Sequence, residues 1–249
     1  MLTLLKRIFT YDGSLEFQAL NDKEVSADYQ HRFIVDHYGK YLEGGRVLDA
    51  GCWTGPIEAA ITKKNLAVEL TGIDENEDAL QIARESFPGF NFQSCCLLDS
   101  EGVFPKNHAN CFDATIFLDV IEHLPQGKEL TALKLFHKVL EKNGVIILST
   151  MAHHPLNFID PAWFFGHRHY TLNQLETLLD QAGFNIKEVL KIGNLYLDID
   201  LLLLYIYKHI FKKKYRTGKK MHERIMKGFE TQKTPTRYYI LAEKRKDTQ

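Results

Sequence analysis

At 249 residues, with 45% hydrophobic and 25% charged side chains, the chain is long enough to bury a sizeable core and too balanced to be disordered, collagen-like or a coiled coil. The net charge of −1 conceals an asymmetry: from position 208 onward 14 Lys and Arg face four acids, which leaves that tail near about +10 and the first 207 residues near about −11. Such a tail suits an anionic partner, but it lacks the interleaved aromatics of an RNA-binding module, and nucleic acid is not expected.

Taken in order, residues 2–9 read as a short amphipathic helix and 11–21 as a polar, turn-rich stretch. Between 22 and 41, Val25, Tyr29, Phe33, Val35 and Tyr38 recur at loosely helical spacing and predict a helix ahead of the first strand. The run RVLDAGCWTG at 46–55 organises the rest of the chain. Val47 and Leu48 end a buried strand, 49–55 form a turn, and Pro56 suits the first position of the next helix, where its missing N–H costs nothing. Gly51 and Gly55 bracket that turn and let backbone approach a ligand closely, the mark of a nucleotide site. Asp49 is placed to stiffen the turn or to accept a bond from a cationic ligand.

A second strand, 70–74, ends at Asp74, the position that grips a ribose diol in nucleotide-binding α/β folds. A helix over 77–87 stops at Pro88-Gly89, and a third strand runs from 90 to 95. A fourth strand, 113–119, leads at once into Val120-Ile121-Glu122-His123-Leu124-Pro125. A helix over 128–141 closes at Asn143-Gly144, before a fifth strand at 145–150. Thr171 and Gln174 form the capping box of a helix reaching Gln181, strands are expected at 185–190 and 237–242, and 192–235 form an insertion between them.

The turn at 49–55, the acid at 74, the run from Asp113 to Leu124 and the helix, turn and strand from Leu140 to Leu148 resemble, in order and spacing, the class I S-adenosylmethionine-dependent methyltransferases. The resemblance covers roughly residues 30–190. The His167-Arg168-His169-Tyr170-Thr171 segment brings it closest to the small-molecule and quinone-precursor O-methyltransferases. It implies an α/β, Rossmann-like, seven-stranded and mostly parallel sheet with helices on both faces and the last strand antiparallel. One domain over 1–249 is expected: an N-terminal helical segment at 1–45, a cofactor-binding core at 46–190, the helical insertion at 192–235 and the last strand at 236–244.

The resemblance further implies S-adenosylmethionine as cofactor and S-adenosylhomocysteine as product. Asp49, Gly51, Cys52, Gly55, Asp74, Glu75, Cys96, Leu97 and Asp119 are the implied cofactor contacts, and Tyr29 and Arg32 reach its mouth from the N-terminal helix. Two positions depart from the family: Trp53 replaces a glycine in the turn, and Cys96 stands where an acid usually accepts from the adenine amino group, a role left to Asp99. Methyl transfer from a sulfonium is an in-line displacement, so the protein's task is positioning, with a histidine to take the acceptor's proton. His123 and His154 are the expected bases, with His167 and His169 shaping the pocket.

A rival arrangement joins Asp119, Glu122 and His123, at i, i+3 and i+4, to His167 or His169 as ligands of a divalent metal, as in metal-dependent RNA 2′-O-methyltransferases. A catalytically silent binding protein of the same fold is the other alternative. The apolar stretch 195–207 followed by lysines reads as a lid, a membrane-surface helix spanning 195–216, or a dimer contact, and it is too short to cross a bilayer. It favours an apolar or aromatic small-molecule acceptor. Cys52, Cys95, Cys96 and Cys111 have neither disulfide nor zinc spacing, and the first residues lack a secretory pattern, so a reduced, cytoplasmic protein is expected.

Overall fold

The computed structural model describes residues 25, 29–99, 101–153, 167–193, 195–213, 215, 217–231 and 236–245. The helix expected at 2–9 and His154 lie outside them. In chain order the elements are α1 (Tyr29–Tyr38), β1 (Arg46–Ala50), α2 (Pro56–Lys64), β2 (Glu69–Asp74), α3 (Glu77–Ser86), β3 (Asn91–Ser94), α4 (Val103–Asn107), β4 (Phe112–Leu118), α5 (Glu129–Val139), β5 (Leu140–Met151), α6 (Leu172–Gln181), β6 (Phe184–Ile192), α7 (Leu195–Tyr205), α8 (Lys219–Thr231) and β7 (Arg237–Lys244). Seven strands form one sheet in the order β3-β2-β1-β4-β5-β7-β6. β1 to β5 are parallel, and β7 runs antiparallel between β5 and β6.

Both faces of the sheet are buried, and alternation along each strand assigns the side chains. Leu48, Phe117, Ile146, Leu148 and Ile240 pack on one face with Leu133 and Phe136 of α5 and Leu175 of α6. Val47, Ile116, Ile147, Tyr239 and Leu241 pack on the other with Ile34 and Tyr38 of α1 and Ile57 and Ile61 of α2.

The start of β5 and the stretch after β3 differ most from expectation. Leu140, read as helix, already lies in β5: its backbone is extended (φ −72°, ψ 140°) and it pairs with Phe112. Asn143, at φ +65°, then bends the chain where the register shifts between Phe112 and Ala114. A buried leucine fits either a helix stripe or a central strand, which is why periodicity alone put the boundary too late. The short α4 was not anticipated, because Pro105 interrupts its sequence pattern; Phe104 anchors it by stacking on His108.

The insertion folds as two helices. α7 continues into a π-helical turn (Ile206–Ile210), and α8 packs on α7 and β6. Asp200 ties the connection down by accepting from Tyr215 Oη (2.6 Å) and Thr217 Oγ1 (2.7 Å). Leu197 and Ile225 are buried, while Leu195, Tyr196, Leu204, Tyr207, Ile210 and Phe211 remain exposed. Among the described residues no helix is long and apolar enough to cross a membrane.

Candidate functional site

β1 delivers the glycine turn to the carboxyl edge of the sheet, where open α/β folds bind ligands. Gly51 (φ +82°) and Gly55 (φ +94°) both adopt the left-handed region, and a Cβ on Gly51 would run into Val120. The amides of Gly51 and Cys52 donate to the carbonyl of Ile73 (2.8 and 3.1 Å), lashing the turn to β2. Trp53 is also left-handed (φ +49°), and the Asp74 carboxylate holds it there. Asp74 Oδ2 accepts from Trp53 N (3.0 Å) and Oδ1 from Asn76 N (2.9 Å), so the carboxylate is fixed with lone pairs left for a ligand. Beyond β3, Leu97 is buried and Cys96 exposed; the Cys96 thiol pairs with the Glu75 carboxylate, which raises its pKa. Glu75 thus brings an acid beside Cys96.

Beneath the turn lie two buried acids. Asp49 is 4% exposed and its pKa is pushed up to about 7 by burial, eased by His31 and raised further by Asp74. Glu58, in the first turn of α2, is fully buried; burial, then the Asp49 charge, raises its pKa well above the usual carboxyl range.

The other half of the site gathers at the ends of β4 and β5 and the start of β7. Asp119 is left-handed (φ +55°) and donates its amide to the Ser149 carbonyl (3.1 Å). Its carboxylate accepts from Ser149 Oγ (2.8 Å) and Gln30 Nε2 (3.3 Å) and forms an ion pair with Arg237. Gln30 is held in turn by Tyr239 Oη (2.9 Å). Glu122 is buried, accepts from Thr150 Oγ1 (2.9 Å), and is pushed up to about 8 by burial and the nearby Asp119 charge.

His123, next in sequence, is exposed, and its ring meets that of His167 edge-on with centroids 4.3 Å apart. The structure therefore does not bring Asp119, Glu122 and His123 onto one face. Positive φ at Asp119 takes that residue out of any helical turn, so the i, i+3, i+4 spacing gives no shared face, and Glu122 turns inward as His123 turns outward. Among the described residues no group of three or more His, Cys, Asp and Glu could hold a metal.

Arg168 anchors the histidine segment, donating to Glu129 and to the carbonyls of Ile121 (3.0 Å) and Leu124. Tyr170 Oη donates to the Ile121 carbonyl (3.1 Å) as well. An open cavity of about 440 Å³ lies here, lined by Gln126, Glu129, His167, Arg168, His169 and Tyr170 among others.

A family model described as a methyltransferase domain matches residues 23–189, well over half of the chain. The chain belongs to the methyltransferase-domain family. A ubiquinone biosynthesis O-methyltransferase of Psychrobacter arcticus is 28% identical over 137 residues, 54% of this chain and 50% of that protein. The chain spans about half the length of the first curated relatives it matches. In fold, this methyltransferase domain is similar to the [4+2]-cyclase SpnF (TM-score 0.63, 17% identity, 90% of this chain and 85% of that one). It is likewise similar to phosphoethanolamine N-methyltransferase 2 of Haemonchus contortus in complex with S-adenosyl-L-methionine (TM-score 0.61, 18% identity, 98% and 57%).

The methyltransferase domain has the donor set its family cofactor, S-adenosylmethionine, requires. That molecule carries a ribose diol, an adenine amino group and an ammonium, and Asp74, Glu75 and the buried acids Asp49 and Glu58 are acceptors of matching kind. The fit rests on one feature of the packing: both carboxylate oxygens of Glu58 are buried without a hydrogen-bond partner among the described residues, a state that a cation relieves.

Three groups escaped sequence reasoning. Gln30 and His31, not Arg32, face the site from α1: Gln30, Ile34 and Tyr38 share the inward stripe, and Arg32 points to solvent. Glu58 looked like an ordinary first-turn acid. Arg237 is separated by 118 positions from the carboxylate it pairs with, and no local signal marks it.

Proposed function

We propose that the protein transfers the methyl group of S-adenosylmethionine to an oxygen, or a nitrogen, of a small apolar or aromatic acceptor. The observation that carries this reading is the glycine turn lashed to β2 with Asp74 fixed beneath it, inside a matched methyltransferase domain. The bound cofactor supplies the reactive methyl on a sulfonium, so the chain needs no nucleophile of its own. Asp74 accepts the ribose hydroxyls, Glu75 and Cys96 border the adenine, Leu97 packs against it, and Asp49 with Gly51, Cys52 and Gly55 holds the methionine part. Asp119, clamped by Arg237, Ser149 and Gln30, closes the cofactor site toward the acceptor. His123, with His167 against it and His169 shaping the pocket, or His154, takes the proton of the acceptor hydroxyl.

An apolar acceptor is supported by the name of the curated relative and by the insertion. Tyr207, Ile210 and Phe211 are exposed at the turn after α7, followed by exposed Lys212 and Lys213, and exposed Lys219 and Lys220 open α8. Apolar side chains rimmed by lysines match an anionic bilayer surface, from which a lipophilic acceptor would be drawn.

Calorimetric titration of S-adenosylhomocysteine tests the cofactor reading: micromolar binding that weakens by about 10- to 100-fold in Asp74→Ala is expected from the loss of charge-assisted hydrogen bonds. Absence of binding to folded protein overturns it. Flotation with vesicles containing phosphatidylglycerol, but not with phosphatidylcholine alone, is expected of the wild type and not of Phe211→Glu. Equal recovery of both proteins with both vesicles removes the membrane from the proposal.

A further inference from the structure

Trp53 is the bulkiest side chain of the glycine turn, and the described fold makes no use of its ring. Other positions of the turn face protein: Cys52 is buried in a cluster with Phe92, a Cβ on Gly51 would strike Val120, and one on Gly55 would strike Phe87. Trp53 is instead half-buried and lies outside every apolar cluster. Among the described residues its indole has no ring, cation or hydrogen-bond partner. Its backbone is left-handed (φ +49°), a conformation that an aromatic residue adopts at a cost glycine would not carry. A strained, bulky residue whose ring packs on nothing at the mouth of a cofactor site points to the ligand.

The sheet order says which part of the ligand. β3, β2 and β1 lie side by side, and their carboxyl ends lead in turn to Cys96 and Leu97, to Asp74 and to Trp53. In the cofactor reading above, on which this inference rests, adenine lies at the first of these and ribose at the second. The next group along the molecule, joined to the ribose through a methylene, is the sulfonium. Trp53 N donates to Asp74 Oδ2 (3.0 Å), so the side chain starts beside the carboxylate that grips the ribose. We propose that the Trp53 indole flanks the sulfonium and holds it by a cation–π interaction, so that the site discriminates the charged cofactor from its neutral thioether product. Asp49 and Asp74 attract the same cation, by a field that replacing the ring leaves in place. The ring's attraction vanishes when the methyl group leaves with the charge. Trp53 therefore favours exchange of spent product for fresh cofactor rather than the transfer step itself.

The experiment is calorimetric titration of S-adenosylmethionine and of S-adenosylhomocysteine into the full chain, Trp53→Gly and Trp53→Phe at one pH, read as the ratio of the two affinities. Trp53→Gly should lower the preference for S-adenosylmethionine by about 5- to 30-fold, the worth of a desolvated cation–π contact. Trp53→Phe, which keeps a ring, should stay within about threefold of wild type. Trp53→Gly should also melt no lower than wild type, because glycine suits the backbone there. An unchanged ratio in Trp53→Gly overturns the proposal and leaves the cofactor reading standing, whether both ligands bind as before or both weaken equally. A ratio that falls as far in Trp53→Phe as in Trp53→Gly overturns it as well. No binding of S-adenosylhomocysteine by folded wild type overturns both readings. Should Trp53→Gly fail to fold, intrinsic fluorescence decides: the chain has two tryptophans, so the difference between wild type and Trp53→Phe isolates Trp53. That emission should respond more strongly to S-adenosylmethionine than to S-adenosylhomocysteine, and an equal response to both overturns the proposal.

Discussion

Asp119 shows how much the site asks of one residue. A non-glycine side chain in the left-handed region costs about 1–3 kcal/mol, and here the Arg237 ion pair and the Ser149 and Gln30 hydrogen bonds hold it in place. Asp119→Ala keeps the strain and leaves the largely buried Arg237 charge without its carboxylate, so urea unfolding should show a loss of about 3–5 kcal/mol. Asp119→Asn tolerates the backbone better and still accepts hydrogen bonds, and should lose distinctly less. This residue also marks the limit of sequence reasoning. The spacing of Asp119, Glu122 and His123 invited a metal site because a helical turn was assumed, and a single positive φ, invisible in the sequence, sends the three side chains apart. Glu58 was overlooked for the complementary reason: an acid at the start of a helix is ordinarily a solvated partner of the helix dipole, and only packing reveals it as buried.

Where structure is decided within a few neighbouring residues, the elements were legible. The box at the start of α6 is present as expected, with Gln174 N donating to Thr171 Oγ1 (3.3 Å) and Thr171 N to Gln174 Oε1 (2.8 Å). Thr171→Ala should cost about 1 kcal/mol, read as a drop in melting temperature of roughly 2–4 °C. The sheet's parallel strands announced themselves as apolar runs ending at marked turns, since both faces are covered. The start of β5 did not, because Leu140 serves helix and strand patterns equally. Nor did the inward face of α1, where loose periodicity could not tell Arg32 from its neighbours Gln30 and His31.

For the whole molecule, three buried acids set the response to pH. Asp49 and Glu122 hold their protons up to about 7 and about 8 when folded, against ordinary values of 3.8 and 4.5, and Glu58 shifts the same way. In this range the unfolded chain has already lost protons that the folded one retains, so the stability they lend is full below about pH 4 and lost as the pH climbs toward 8. The ligand-free protein should therefore melt higher at pH 6 than at pH 8, with Glu122→Gln flattening the profile. The fold, built of successive strand and helix units, could be read along the chain; the acceptor half of the site could not, because Gln30 and Tyr239, which meet there, are 209 positions apart.

The placement of β7 between β5 and β6 carries a consequence for biosynthesis. As a chain emerges from the ribosome, β1 to β5 can each join a neighbour within the growing sheet, but β6 borders only β7 and must wait for it. Throughout that interval the 145–151 edge of β5, among the most apolar stretches in the protein, offers unpaired backbone to any passing strand. A chain ending at position 235 should pellet with aggregates where the full chain stays in the supernatant. The arrival of β7 decides whether the newborn protein closes on itself or on another copy.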